Sequence, residues 1–286
     1  MAISGAWVYA EEWATKLQEF LDEPNKFKDI CRVEYSNTKV LNNPYMTDPT
    51  ITSLSRGTSY TYDLWAETNE TLTVDQAWRA ATFWDQADLA QSTFFKQMEA
   101  AERQGIKLNE EVEKAVYGDH ANFTNFGNED ITGGAAGGTT TITVSSSNID
   151  DIIRHVERVI YVANGQSVLE RNGGFFVWRP ADFQNLRTFM QANGFNSADE
   201  ALRSGGRSGI EFMGFTHYVS NKLVANHVMA GVKKMHAVGI LKDTYGQIKV
   251  LQDPNQTSGV GVVSRVDYGV KTFTKPKPVL LDVNVS

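Results

Sequence analysis

The sequence predicts an α+β fold. Three observations carry that expectation. Apolar residues recur at helical spacing through residues 86–118 and again through 149–160. Segments that alternate polar and apolar, or that are wholly apolar and short, punctuate the rest of the chain. The two kinds of segment are interspersed rather than strictly alternating, which fits α+β.

The elements follow in order. Residues 7–22 read as a helix, with Trp7, Trp13, Leu17, Phe20 and Leu21 at roughly helical spacing and Pro24 ending it. Residues 32–56 read as an irregular, extended arm, because Asn42, Asn43, Pro44, Asp48 and Pro49 are turn formers. Residues 57–76 read as a mostly polar hairpin. Thr58, Tyr60 and Tyr62 alternate with Ser59, Thr61 and Asp63, residues 67–69 supply the turn, and 70–75 return. An isolated two-stranded ribbon is marginal in water, so this one needs its own domain or another copy for support.

The strongest helical stripe is Leu89, Phe94, Phe95, Met98 and Ala101, resumed by Leu108, Val112, Ala115 and Val116. Glu110, Glu111, Glu113 and Lys114 are expected outside it. Gly105 costs about 1 kcal/mol relative to alanine, predicting one helix bent there or two in line. Residues 124–147 are rich in glycine and threonine and read as a flexible loop.

Beyond the loop, Ser147 is expected to cap a helix whose buried face is Ile149, Ile152, Ile153, Val156, Val159 and Ile160. Phe175 to Trp178 is a fully apolar strand. Pro180 opens a helix with Phe183, Leu186, Phe189 and Met190 inward and Gly194 as its cap. Ile210 to Ser220 reads as one strand, and Val228, Met229, Val232 and Met235 as a helix. Residues 260–285 are strand-rich, with Pro276 and Pro278 between two extended runs.

Bulk properties narrow the function. The formal net charge is −7, so the chain as a whole is no general nucleic-acid binder. One cysteine, Cys31, allows neither an internal disulfide framework nor a cysteine-based zinc site. No apolar run reaches the ~18–20 residues of a membrane span, and Met1 to Ala10 has no signal-peptide pattern, so a cytosolic origin is expected.

Catalytic motifs are missing. The five histidines, at 120, 155, 217, 227 and 236, include no i, i+4 pair, and His227 and His236 are expected on opposite faces of one helix. Asp150 and Asp151 suit the first turn of a helix. Gly133, Gly134, Gly137 and Gly138 lack the Gly-Lys-Ser/Thr of a phosphate cradle. No Gly-x-Ser-x-Gly elbow or dinucleotide fingerprint occurs. The expectation is no catalytic, cofactor or metal site.

The order of parts resembles the major capsid proteins of tailed bacteriophages, with the Hong Kong 97-type fold. The residues that carry the resemblance span nearly the whole chain. Val8 to Trp13 with Leu17 and Phe20 looks like the family's arm helix, and 57–76 like its E-loop. Leu72 to Gln76 and Phe83 to Ser92 look like the strand running into the spine helix. Phe175-Phe-Val-Trp-Arg-Pro, Gly214 to Leu223 and Ala230 to Ala237 resemble A-domain segments, the last of them a helix. Tyr268-Gly-Val-Lys and Pro276 to Leu281 look like the closing P-domain strands.

The resemblance implies an arm at 1–56, an E-loop and return strand at 57–85, and the spine helix with the first P-domain segment at 86–147. It implies a mainly A-domain segment at 148–257 and closing P-domain strands at 258–286. It implies a structural, non-enzymatic subunit that builds pentamers and hexamers of an icosahedral virion shell around double-stranded DNA, assembled in the host cytoplasm. A separate scaffolding protein, a portal and a decoration protein are the implied partners, with no membrane and no cofactor. Tyr60, Tyr62, Trp65, Trp7 and Trp13 are the aromatic candidates for contacts between subunits. Trp78 and Trp84 are expected to pack on their own subunit. Some relatives crosslink an E-loop lysine to a neighbour's asparagine. No lysine lies between Lys39 and Lys96, so no such bond is expected. An encapsulin-like compartment shell and an α/β enzyme with an unrecognised site are the alternative readings.

Overall fold

A computed structural model describes residues 25–57, 59, 62, 66–85, 96–133, 137–193, 209–245, 248–251 and 259–286. Two sheets sandwich one long helix. The helix, α2 (Lys96–Gly118), follows a single turn α1 (Phe27–Ile30) in the described chain. It runs through Gly105 without a break. Its inward stripe is Leu108, Val112, Val116 and Tyr117.

The first sheet joins β1 (Arg32–Ser36), β10 (Ala237–Leu241), β12 (Gly259–Lys271) and β11 (Ile248–Leu251), with β4 (Gln76–Asp85) also paired to β12. The β12 strand is 13 residues long and holds this sheet together, pairing antiparallel with three others. The second sheet has the order β5-β13-β9-β6-β8-β7. Its strands are β5 (Thr124–Phe126), β6 (Gly174–Trp178), β7 (Ile210–Phe212), β8 (Phe215–Val219), β9 (His227–Val232) and β13 (Leu280–Asn284).

Two cores meet at this second sheet. On one face, Phe176, Trp178, Val228, Ala230, Leu281 and Val283 pack beneath α4 (Ile149–Val162), α5 (Gln166–Asn172) and α6 (Pro180–Asn193). On the other, Phe175, Val177, Met229 and Leu280 pack on α2, α1 and the first sheet. All six expected residues of α4 are buried, each stabilising by roughly 1.5–3 kcal/mol relative to exposure. A short α3 (Asn128–Ile131) precedes the glycine-rich segment.

Several sequence expectations need correction. His227–Val232 is a strand, not the start of a helix. Its residues point alternately into two apolar cores, which erases the polar/apolar alternation that marks a strand. Residues 210–220 form two antiparallel strands, turned at Met213 and Gly214, both at positive φ. Residues 32–56 are not irregular, since they contain β1 and β2 (Val40–Met46). The hairpin partner of β3 (Glu67–Thr73) is β2, so residues 67–69 lie inside a strand rather than a turn.

Asn148, not Ser147, precedes α4, and its Oδ1 accepts from the Ser145 amide at 2.8 Å. Part of the glycine-rich segment is fixed. Asp130 accepts from the amides of Gly127 and Gly138, both at 2.9 Å. The helix 7–22, Gly194 and residues 86–95 lie outside the described residues.

Candidate assembly surface

The β2–β3 ribbon pairs seven residues of each strand, from Val40↔Thr73 to Met46↔Glu67. Nine of its fourteen residues are exposed, and Leu72 is its only buried side chain. Pro44 sits within β2, a place proline tolerates only where a strand has a free edge. Lys271 Nζ donates to the Thr71 carbonyl at 2.9 Å, and the Thr274 amide donates to Glu70 at 3.0 Å. These bonds tie the ribbon's base to the end of β12.

The base sits in a notch made by two glycines. Gly239 of β10 and Gly269 of β12 are cross-strand partners. Above Gly239 lie the side chains of Leu72, Leu41 and Val74. Above Gly269 lies the backbone of Thr73, whose carbonyl oxygen would stand 2.0 Å from an added Cβ. Leu72 and Val74 thus fill a small third core with Ala237 and Leu241. Among the described residues, an isolated glycine inside a strand again marks a close backbone approach.

Beyond the ribbon, described residues of the 47–66 connection are exposed. Ile51 is 94% exposed and Leu54 55%, while Tyr62 is 90% exposed. Asp48 pairs with Lys275 at 2.9 Å, but the side chains of Ile51, Leu54 and Tyr62 stay open to water. Of the five aromatic contact candidates, Tyr62 is therefore placed on this surface. Tyr60, Trp65, Trp7 and Trp13 lie outside the described residues. Trp78 Nε1 donates to the Tyr268 hydroxyl at 2.8 Å, yet 46% of the residue stays exposed, so it is only partly packed on its own subunit. Trp84 pairs through its backbone with Val260. Sequence reasoning missed Ile51 and Leu54 because a short irregular run offers no periodicity.

The polar clusters elsewhere serve the fold. Glu113 is fully buried, correcting its expected outward position. It accepts from Lys222 Nζ at 2.7 Å, the Lys26 amide at 2.5 Å and the Tyr117 hydroxyl at 3.1 Å. Glu110 is also buried and pairs with Lys107.

Cys31 Sγ lies 3.5 Å from His236 Nδ1, and His236 Nε2 lies 2.8 Å from Asp119. The order matches a nucleophile, base and orienting acid, but the site is sealed. Cys31 and His236 are both 0% exposed, and burial pushes the thiol far above its usual range, with Asp119 and Glu113 adding to the rise. A thiol so held is no nucleophile.

The comparisons with known proteins agree with this geometry. A phage capsid protein family matches residues 96–280, well over half of the chain. The chain belongs to that family. It is a structural subunit of a phage shell, not an enzyme, and a component of the virion. No curated protein matches it. Among solved structures, the capsid protein is similar to one from Mycobacterium phage Che8, at 18% identity and a TM-score of 0.74 over 97% of each chain. The capsid of an empty GTA particle gives 16% identity and 0.69, over 100% and 98%. The capsid of Ralstonia phage GP4 gives 10% and 0.68, over the same shares. At such identities these three likenesses speak for the fold alone, the tailed-phage capsid fold.

Proposed function

We propose that this capsid protein closes its shell without covalent crosslinks, by docking the tip of the E-loop on a neighbouring subunit. The observation that carries the reading is the tip itself. Ile51, Leu54 and Tyr62 are exposed in the single chain, and no lysine occurs between Lys39 and Lys96. Burying an isoleucine or leucine on a neighbour stabilises by roughly 1.5–3 kcal/mol, repeated at every subunit. Such contacts join unlike patches and close into rings. Trp7, Trp13, Tyr60 and Trp65 are further proposed contacts.

The shell is read as pentamers and hexamers around double-stranded DNA, without sequence-specific contacts. A separate scaffolding protein, a portal and a decoration protein are its proposed partners, and the host cytoplasm its place of assembly. In the same reading the E-loop is the β2–β3 ribbon with its connection, 40–73, in place of the expected 57–85, which shortens the expected arm at 1–56, while the spine and first P-domain segment at 86–147, the A-domain at 148–257 and the closing strands at 258–286 are kept.

The test replaces residues 48–65 with a short Asn-Gly turn. Thr47 and Ala66 are already joined by an amide-to-carbonyl bond of 3.3 Å, so the ribbon can close there. The expected product is a soluble chain with unchanged melting that forms no closed shells in electron micrographs. Normal shells from this variant refute the docking role. Wild-type shells boiled in detergent should run as monomers on a denaturing gel, and a covalent ladder refutes the crosslink-free reading.

A further inference from the structure

Three residues far apart in sequence meet at the end of the spine helix. His120 lies in the single 3-10 turn Asp119–Asn122 that follows α2. His227 opens β9, and Asp282 sits in the middle of β13. The register pairs His227 with Asn284, which places Asp282 two residues along on the same face of the sheet.

The geometry is convergent. His120 Nδ1 lies 2.9 Å from one oxygen of Asp282, and His227 Nδ1 lies 2.9 Å from the other. All three ligand atoms lie within 4.8 Å of one another. The two rings are 4.1 Å apart at their centroids. Asp282 is buried, while the imidazole side chains keep 13% and 26% of their surface open.

We propose that His120, His227 and Asp282 form a binding site for a divalent transition-metal ion, with zinc the best match. Two imidazole nitrogens and one carboxylate oxygen suit zinc, cobalt or nickel, whereas magnesium and calcium favour oxygen ligands. Metal–ligand bonds of about 2.0–2.2 Å place neighbouring ligand atoms roughly 3.4 Å apart in a tetrahedral site. The observed cluster reaches that spacing by small side-chain rotations. Each neutral ring would move its Nδ1 proton to Nε2, so the ion replaces two N–H groups between the same three residues with no net proton released. The open side of the two rings gives water the fourth position. The ion would pin the end of the spine helix to β9 and β13. The site stands independently of how the shell closes.

The sequence gives no sign of it, because 107 residues separate the two histidines and neither shares a helix with the other. The test titrates zinc chloride into the EDTA-treated, purified full-length chain by calorimetry. Cobalt in place of zinc supplies a visible ligand-field spectrum. One ion per chain is expected, with melting raised by roughly 5 °C at a hundred times the Kd. Both signals should vanish in His227→Gln and in His120→Gln, two substitutions at partly exposed sites that spare the buried carboxylate. If one of them fails to fold, the other alone decides. Absence of saturable binding, or binding that survives the substitutions, overturns the proposal.

Discussion

Gly269→Ala tests how the β2–β3 ribbon is held. Gly269 is not in the left-handed region, so alanine can adopt its backbone and the penalty is steric. The new Cβ would lie 2.0 Å from the Thr73 oxygen and 2.8 Å from its carbonyl carbon. A tolerable contact is about 3.2 Å, so β3 must lift by about 1.2 Å, and no rotamer can relieve a clash with backbone. Overpacking of this kind costs about 1–3 kcal/mol, and lifting Leu72 and Val74 partly out of their core adds to it. We expect a total of about 2–4 kcal/mol, a fall in Tm of roughly 3–7 °C. The ribbon extends roughly 20 Å beyond the notch at ~3.3 Å per residue, so a tilt at the base moves the tip several ångströms and assembly should suffer as well. Gly239→Ala is the control. Its Cβ meets only side-chain ends, Leu72 and Leu41 at 2.5 and 2.9 Å, which can rotate away, and Val74 at an ordinary 3.5 Å. Melting of the unassembled chain by circular dichroism and particle yield by sedimentation are the assays. A Gly269→Ala chain that melts within a degree of wild type, or a larger loss from Gly239→Ala, refutes the reasoning.

Two further outcomes follow from buried charge. Glu113→Ala leaves the Lys222 ammonium buried without its carboxylate, and a loss of about 3–5 kcal/mol is expected in urea unfolding. Glu113→Ala combined with Lys222→Met should cost less than the two single changes added together. His217 is fully buried, accepts from Trp178 Nε1 at 2.9 Å through Nδ1 and donates from Nε2 to the Phe212 carbonyl at 3.0 Å. Indole can only donate, so this ring is held neutral, and burial lowers its pKa from 6.5 to about 4. The unfolded chain therefore takes up a proton first as pH falls. Stability should be full above pH 6.5 and decline towards pH 4, by roughly 3 kcal/mol in all. His217→Gln should flatten that part of the pH profile, and an unchanged profile refutes the assignment.

Local physics fixed much of this protein in advance. The stripe of Ile149, Ile152, Ile153, Val156, Val159 and Ile160 determined a helix and its buried face. Pro180 determined where α6 begins, and the apolar run at Phe175 determined a central strand. The ordered succession of such elements was enough to place the chain among phage capsid proteins. What the tertiary structure alone decided is pairing. Val40–Met46 could join Glu67–Thr73 only because a two-glycine notch, built from strands some 200 residues downstream, receives the base of that ribbon. His227–Val232 became a strand because both faces of its sheet are buried, a fact that no local periodicity encodes. Glu113 turned inward because Lys222, distant in sequence, waits there to neutralise it. Our proposed contact surface adds Ile51 and Leu54 to Tyr60, Tyr62 and Trp65, on a connection whose ends are set by long-range contacts rather than by its own sequence.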